Sequence, residues 1–128
     1  MVSCTTHGVT VQVQTRFLPE HSNPRARKFV FGYHITITNL SQETVQLLFR
    51  NWIITEFGGQ VRTVQGAGVI NQQPVLEQGK EHEYMSYTIL NMEMGKMSGF
   101  YTMQRLTDKE LIKVEIPEFQ LQAPVLFN

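Results

Sequence analysis

The sequence predicts an all-β domain, an antiparallel β-sandwich with about the strand number of an immunoglobulin-like domain. Several segments alternate apolar and polar residues with a period of two, which is the pattern of half-buried strands. Turn residues separate these segments at close spacing, as they do in sandwiches and barrels. No stretch carries the apolar stripe of an amphipathic helix over three turns.

The first half of the chain contains the clearest strands. Residues 9–14 alternate valine with threonine or glutamine, and residues 29–38 place aromatic residues and isoleucine at every odd position. Between them, residues 18–28 are polar, contain two prolines and have no periodicity. This segment is therefore predicted to be a long exposed loop, of the kind that is often functional.

The strand predicted over residues 44–55 contains an irregularity. Its alternation slips where Leu47, Leu48 and Phe49 follow one another, which indicates a β-bulge or a change of face. Trp52, the single tryptophan, is predicted to lie in the core. Further extended segments are predicted at residues 61–64, 74–76, 82–90, 95–105 and 111–121.

Two features of these later segments carry structural expectations. Pro117 lacks a backbone donor, so the last strand is predicted to lie at an edge or to bend there. The aromatic residues of the second half, among them Tyr84, Tyr87, Phe100 and Phe119, are assigned mostly to the core. Phe127, in the final segment, is instead expected to be exposed and to contact a partner.

Composition narrows the function classes. Eleven Lys and Arg residues balance eleven Asp and Glu residues, so the charge footprint of a nucleic-acid binder is missing. No segment is long and apolar enough to predict a membrane span, and the first residues lack the pattern of a signal peptide. The single cysteine, Cys4, cannot form an internal disulfide, and we expect a cytoplasmic protein without nucleic-acid or membrane partners.

A glycine-rich loop, Gly66-Ala67-Gly68, suggests a phosphate site. Glycines allow the backbone to approach pyrophosphate closely, but such sites also use the N-terminus of a following helix, which is not predicted here. The simpler interpretation is that both glycines supply positive φ in a loop between strands. An alternative hypothesis is that Gly66 and Gly68, with Arg50 and Arg62 nearby in sequence, bind a small anion.

Other chemistry has little support in the sequence. Cys4 and His7 have the spacing of two metal ligands, but a metal site needs three or four. Glu81 and Glu83 share one strand face, which is predicted to be solvated. No nucleophile elbow is present. We therefore expect no catalytic residues, no metal site and no cofactor.

Four separated motifs then occur in a recognisable order: W-I-I-T at 52–55, V-Q-G-A-G-V-I at 64–70, G-K-M-S-G-F-Y at 95–101 and V-E-I-P-E-F-Q-L at 114–121. Together they make nearly the whole chain resemble the ApaG family. The resemblance implies a fibronectin type III-like, immunoglobulin-like sandwich, with residues 1–128 as a single ApaG domain. Its ends, residues 1–6 and 123–128, are expected to be loosely ordered.

The resemblance also bears on function. ApaG domains occur in bacterial proteins, in some F-box proteins and in a DNA-polymerase-delta-interacting protein, and bacterial members are linked to cobalt resistance and magnesium efflux. The family's third motif glycine is replaced here by Asn71, which weakens a pyrophosphate site. These observations favour a non-enzymatic module that binds a protein partner, with small-anion binding as the alternative. A homodimer is a further expectation that the sequence allows, because unpaired strand edges can pair with a second copy of the chain.

Overall fold

Alternation of apolar and polar residues produces two antiparallel sheets. The computed structural model describes residues 1–124, so the expectations for Phe127 and most of the C-terminal end lie outside the described residues. The strands are β1 (Val2–Thr6), β2 (Val9–Phe17), β3 (Phe29–Asn39), β4 (Val45–Glu56), β5 (Val61–Ala67), β6 (Val75–Leu76), β7 (Glu81–Leu90), β8 (Met94–Arg105) and β9 (Leu111–Gln122).

The two sheets form a sandwich. Sheet I has the strand order β1-β2-β3-β7, and sheet II has the order β5-β4-β8-β9, with β6 pairing with β4. This confirms the predicted all-β antiparallel sandwich. The predicted loop at residues 18–28 contains two short 3₁₀ turns, Pro19–His21 and Pro24–Ala26. Within residues 1–124 no helix is long and apolar enough to cross a bilayer.

The core lies between the sheets and centres on three aromatic rings. Trp52 is 4% exposed and packs edge-on against Tyr33 and Phe119, with ring centroids 5.6 and 5.8 Å away. The inward residues of β3 and β4 alternate as the sequence predicts. Edge-to-face contacts add to the burial of apolar surface, so this cluster fixes how the sheets meet.

Both predicted strand irregularities are present. The register of β4 with β8 shifts between Leu47 and Phe49, because the three successive apolar residues cannot all face the core. The register of β8 with β9 shifts between Met97 and Gly99, opposite Pro117. Since β9 is also an edge strand of sheet II, it has no second neighbouring strand in that sheet whose hydrogen bonding the missing amide of Pro117 would disrupt.

The N-terminal strand closes one side of the sandwich. The expectation that residues 1–6 are loosely ordered is wrong, because β1 pairs with β2 along its whole length and also contacts β9. The Cys4 thiol donates to the carbonyl oxygen of Glu115 at 3.2 Å, and the Glu115 amide donates to the Thr6 hydroxyl at 3.2 Å. These contacts cover the free edges of β1 and β9 together.

The opposite side, between β7 and β5, is open. The carbonyl oxygen of Val30 accepts from the Leu18 amide, so Val30 directs its backbone groups toward β2 and away from its β7 partner, Ile89. In an antiparallel ladder such groups alternate along each strand. The amides and carbonyls of Met85, Tyr87 and Ile89 therefore point to the free edge, whereas Ser86 bonds to β3.

One buried polar side chain fastens the turns at the far end of β3. Asn39 is fully buried, and its amide nitrogen donates to the carbonyl oxygens of Glu43 and Leu76, both at 2.8 Å. Its side-chain oxygen accepts from the amide and the hydroxyl of Ser41. A buried amide with all these partners stabilises the turn, whereas an unsatisfied one is costly.

We expect Asn39→Asp to lower the free energy of unfolding by about 2–4 kcal/mol, because a carboxylate cannot donate to the two carbonyls that now accept. Urea denaturation at neutral pH measures the change. The matched control is Asn71→Asp at an exposed turn, where we expect a change within about 0.5 kcal/mol. Equal stability of the two variants would contradict the role assigned to Asn39.

Candidate binding cleft at the open side of the sandwich

A cleft enters the open side of the sandwich between the sheets. It consists of two adjoining cavities of about 370 and 500 Å³ that share the lining residues Tyr33, Arg50, Trp52 and Ser86. These residues belong to the inward faces of β3, β4 and β7. The cleft therefore has an aromatic floor, one guanidinium and hydroxyl groups around it.

Arg50 is the unusual residue of this cleft. It follows the inward alternation of β4, two positions before Trp52, so the fold directs a charged side chain between the sheets. One nitrogen, Nη1, donates to the carbonyl oxygens of Ala67 and Gly68 at 3.0 and 2.9 Å. Within residues 1–124 Arg50 forms no ion pair with a carboxylate. Its charge is thus held in place but not neutralised.

Gly66 makes room for that guanidinium. Gly66 lies opposite Arg50 in the β4–β5 ladder, and a Cβ atom at Gly66 would lie 2.8 Å from the Arg50 Cζ. The interpretation that both glycines supply positive φ is therefore wrong for Gly66, which lies in β5, and right for Gly68, whose φ is +65°. The two glycines serve different purposes.

The loop after Gly68 is held by its own hydrogen bonds. The Gly68 amide donates to the Leu48 carbonyl, and Val69 and Gln72 exchange two amide–carbonyl bonds. A phosphate-binding loop instead turns its amides toward the ligand. Here three of the amides are used internally, and two loop carbonyls face Arg50.

Ile70 and Asn71 form the tip of this loop at the cleft mouth. Both have positive φ, 45° and 60°, and Ile70 is 55% exposed. Asparagine adopts this conformation readily, but a β-branched residue does so only at a cost. The loop therefore holds an apolar side chain at the entrance despite backbone strain.

Arg62 closes the far end of the cleft by an ion pair. Its Nη1 lies 3.1 Å from Oε2 of Glu56, and its Nη2 donates to the Ile89 carbonyl oxygen at 2.8 Å. Glu56 is buried, and its Oε1 accepts from the amides of Asn91 and Met92. Arg62 thus bridges β5 and β7, whereas Arg50 contacts the glycine loop. The structure gives the two arginines different partners.

Three tyrosines line or underlie the cleft as neutral phenols. The hydroxyls of Tyr84 and Tyr101 share a hydrogen bond of 2.5 Å. Burial raises the pKa of Tyr33, Tyr84 and Tyr101 above the ordinary value for a phenol, and for Tyr101 the neighbouring Tyr84 raises the pKa further. These groups supply hydrogen bonds rather than charge at neutral pH.

The outer face of β7 carries an apolar row beside the cleft. Met85, Tyr87 and Ile89 are 72%, 65% and 40% exposed, so Tyr87 is not the core residue that composition suggested. Two shallow grooves of about 400 and 390 Å³ flank Tyr87 and share Leu18 as a wall. Gly32, which pairs with Tyr87 and has no side chain, deepens the first of these grooves. We call Met85, Tyr87 and Ile89 the β7 row.

Sequence reasoning did not single out the cleft or the β7 row. The alternation of β7 separates Met85, Tyr87 and Ile89 from Tyr84, Ser86 and Thr88 but does not say which set faces outward. The structure turns Ser86 and Thr88 inward, where they line the cleft. Residues 1–124 contain no group of three or more His, Cys, Asp or Glu side chains that could hold a metal ion.

We expect ionisation of these three tyrosines to leave the free energy of unfolding unchanged below about pH 10 and to lower it as the pH rises above about 10. Their folded-state pKa values are raised, so the unfolded chain releases phenolic protons first, which stabilises it by up to about 1.4 kcal/mol per pH unit for each phenol. Urea denaturation at pH values between about 8 and 11, which bracket the ordinary tyrosine pKa of about 10, measures this pH dependence.

The variant Tyr101→Phe should flatten that alkaline slope, because it removes one buried phenol. Tyr87→Phe, at an exposed phenol, is the matched control and should leave the slope unchanged. If both variants change the slope equally, the burial assigned to Tyr101 is incorrect.

Comparison with known proteins identifies the lineage of this cleft-bearing sandwich. The family model described as the ApaG domain matches residues 19–105. The chain is 42% identical over 120 residues to Protein ApaG of Vibrio vulnificus strain YJ016, with 94% of each chain covered. It is 42% identical over 123 residues to Protein ApaG of Pseudomonas aeruginosa strain LESB58, covering 96% of this chain and 97% of the other.

A solved structure agrees with this relationship. The crystal structure of an ApaA protein from Bordetella pertussis superposes with a TM-score of 0.87 at 36% identity, covering 97% of this chain and 98% of the other. Sequence and architecture therefore agree over nearly the whole chain, and the chain belongs to the ApaG family.

Proposed function

We propose that this ApaG-family protein is a non-enzymatic interaction module that binds a protein partner through the β7 row. The observation that carries the proposal is a contiguous apolar row on an unpaired edge strand. Met85 and Tyr87 expose most of their surface beside two grooves. Exposed apolar patches flanked by polar residues are typical of protein interaction sites.

The chemistry of β7 supports this choice. Edge strands are usually protected from other chains by lysine, proline or bulges. β7 has none of these in its sequence E-H-E-Y-M-S-Y-T-I-L, and its charges, Glu81 and Glu83, are confined to one end. The half that contains Met85, Tyr87 and Ile89 is uncharged. This half is therefore suited to partner contact.

The loop at residues 18–28 supplies a second wall for the same surface. Leu18, His21 and Lys28 line the groove that Tyr87 and Ile89 complete. The Ser22 hydroxyl fastens the loop, since it donates to the Leu18 carbonyl and accepts from the Val30 amide. We propose a cytoplasmic partner, and the family's link to cobalt resistance and magnesium efflux would then act through that partner.

We expect Met85→Ser combined with Tyr87→Ser to abolish capture of a protein partner that the wild-type chain retains. Loss of the apolar row removes the centre of the contact, and such central residues usually cost 2 kcal/mol or more, about thirtyfold in affinity. Capture from bacterial lysate with quantitative mass spectrometry measures the difference.

The control for this experiment is Leu111→Ser. Leu111 is 58% exposed on β9, in the other sheet, so the substitution removes similar apolar surface elsewhere. The control should retain the partner at the wild-type level. A partner that survives the double substitution, or is lost equally from the control, would contradict the assignment to β7.

Small-anion binding is the second candidate, and Arg50 favours it. The guanidinium lies in the cleft without a carboxylate partner among residues 1–124, close to Ser86 and Tyr84 in the lining. The site that this suggests is centred on Arg50, with Gly66 leaving space for the guanidinium and the Gly68 carbonyl holding it. Arg62 contributes less, because Glu56 already pairs with it.

Titration with pyrophosphate, followed by amide NMR shifts, tests this candidate. We expect saturable shifts at residues 66–71 with a dissociation constant below about 1 mM, and at least a tenfold loss in Arg50→Gln. Arg16→Gln is the control, because Arg16 is exposed on the other sheet and pairs with Glu20. Shifts that persist in Arg50→Gln would exclude this cleft as the anion site.

A further inference from the structure

The edge of β7 and the cleft adjoin each other in a way that specifies a ligand. We propose that β7 accepts an extended peptide segment of the partner as an added strand, and that this segment places an acidic side chain in the cleft against Arg50. This inference rests on the proposed function and deepens it, since it names the chemistry of the partner segment.

The backbone of β7 is oriented for strand addition. Val30, opposite Ile89, directs its carbonyl toward β2, so the groups of Glu83, Met85 and Tyr87 point to the free edge. At one end of β7, the Ile89 carbonyl oxygen already accepts a hydrogen bond from Arg62. This bond confirms that the backbone groups of the odd-numbered β7 residues point away from β3. Arg62 therefore limits the added strand at that end, and the free edge extends from there toward Glu81.

The side chains of an added strand would alternate between two environments. Those opposite Met85 and Tyr87 would share the outer face with the β7 row, because neighbouring strands of a sheet have the same pleat. Those opposite Ser86 would point between the sheets. Ser86 lines both cavities of the cleft, as does Arg50. One peptide would thus contact the apolar row and the cleft with alternate residues.

Charge decides what the inward side chain should be. Arg50 is anchored by two carbonyls through Nη1, and no carboxylate of residues 1–124 pairs with it. The other guanidinium nitrogen, Nη2, forms no hydrogen bond within those residues. Guanidinium–carboxylate contacts are strong and directional, so Asp or Glu fits this position better than an apolar residue. The preferred segment alternates apolar residues with at least one acidic residue.

The probe for this proposal is a displayed library of random peptides of about nine residues, long enough to pair with most of β7. It is selected on the immobilised full chain. We expect enriched peptides to alternate apolar and Asp or Glu residues. Changing the inward Glu of an enriched peptide to Gln should weaken binding about tenfold or more. A failure to enrich peptides, or enrichment without an acidic position, would overturn the proposal.

Methylation of single peptide amides tests the strand geometry without altering the protein. Every strand pair of the described fold is antiparallel, and we take the added strand to pair with β7 in the same way. Amides of the residues on the outer face would then donate to β7, whereas the amide of the inward acidic residue would face away. N-methylation at the outer positions should therefore weaken binding at least about tenfold, and methylation at the inward position should not. Equal effects at both kinds of position would show that the peptide does not add to the sheet.

Two further measurements separate the other outcomes. Arg50→Gln should remove the preference for Glu over Gln. Arg105→Gln should keep it, because Arg105 pairs with Asp108 and Glu110 and lines neither the cleft nor the grooves beside Tyr87. Light scattering should report a monomer, because a stable homodimer that buries Tyr87 would put a second copy of the chain on this edge and overturn the proposal. If peptides fail but partner capture still depends on Met85 and Tyr87, the proposed function stands and the partner docks on the outer face.

Discussion

A two-sheet sandwich has four strand edges, and the structure depends on how these four edges are treated. The β1 and β9 edges cover each other through Cys4, Thr6 and Glu115. The β5 and β7 edges do not pair with each other. Arg62 of β5 bridges them, because it forms an ion pair with Glu56 and donates a hydrogen bond to the Ile89 carbonyl of β7. Closure on one side leaves the opening on the other, and the opening exposes both the cleft and the β7 row.

The glycine-rich segment at residues 66–68 positions the Arg50 side chain in this opening. Gly66 leaves space for the Arg50 guanidinium, and the loop carbonyls of Ala67 and Gly68 then hold it. The backbone donors of the loop are largely used within the fold, so charge for an anion comes from Arg50 rather than from a nest of amides. A carboxylate on a partner segment and a small anion would compete for the same guanidinium, which explains why both candidates converge on it.

The fold could be predicted because its signals are local. The alternation of β3 and the slip at Leu47–Phe49 both follow from which side chains must be buried. β1 was missed because Ser3, Cys4 and the threonines give it no apolar alternation, and its order depends on β9, far away in sequence. The cleft was missed for a similar reason: only the tertiary edge position reveals that Ser86 faces inward.

The most direct test of the open edge is amide hydrogen exchange of the free protein, followed by NMR. The amides of Met85 and Tyr87 should exchange rapidly, because they point to solvent, whereas those of Tyr84 and Ser86 should be protected by β3. This alternation along one strand is the signature of an unpaired edge. Uniform protection along β7 would show that the edge is covered, and would contradict the account of this side of the sandwich as a binding surface.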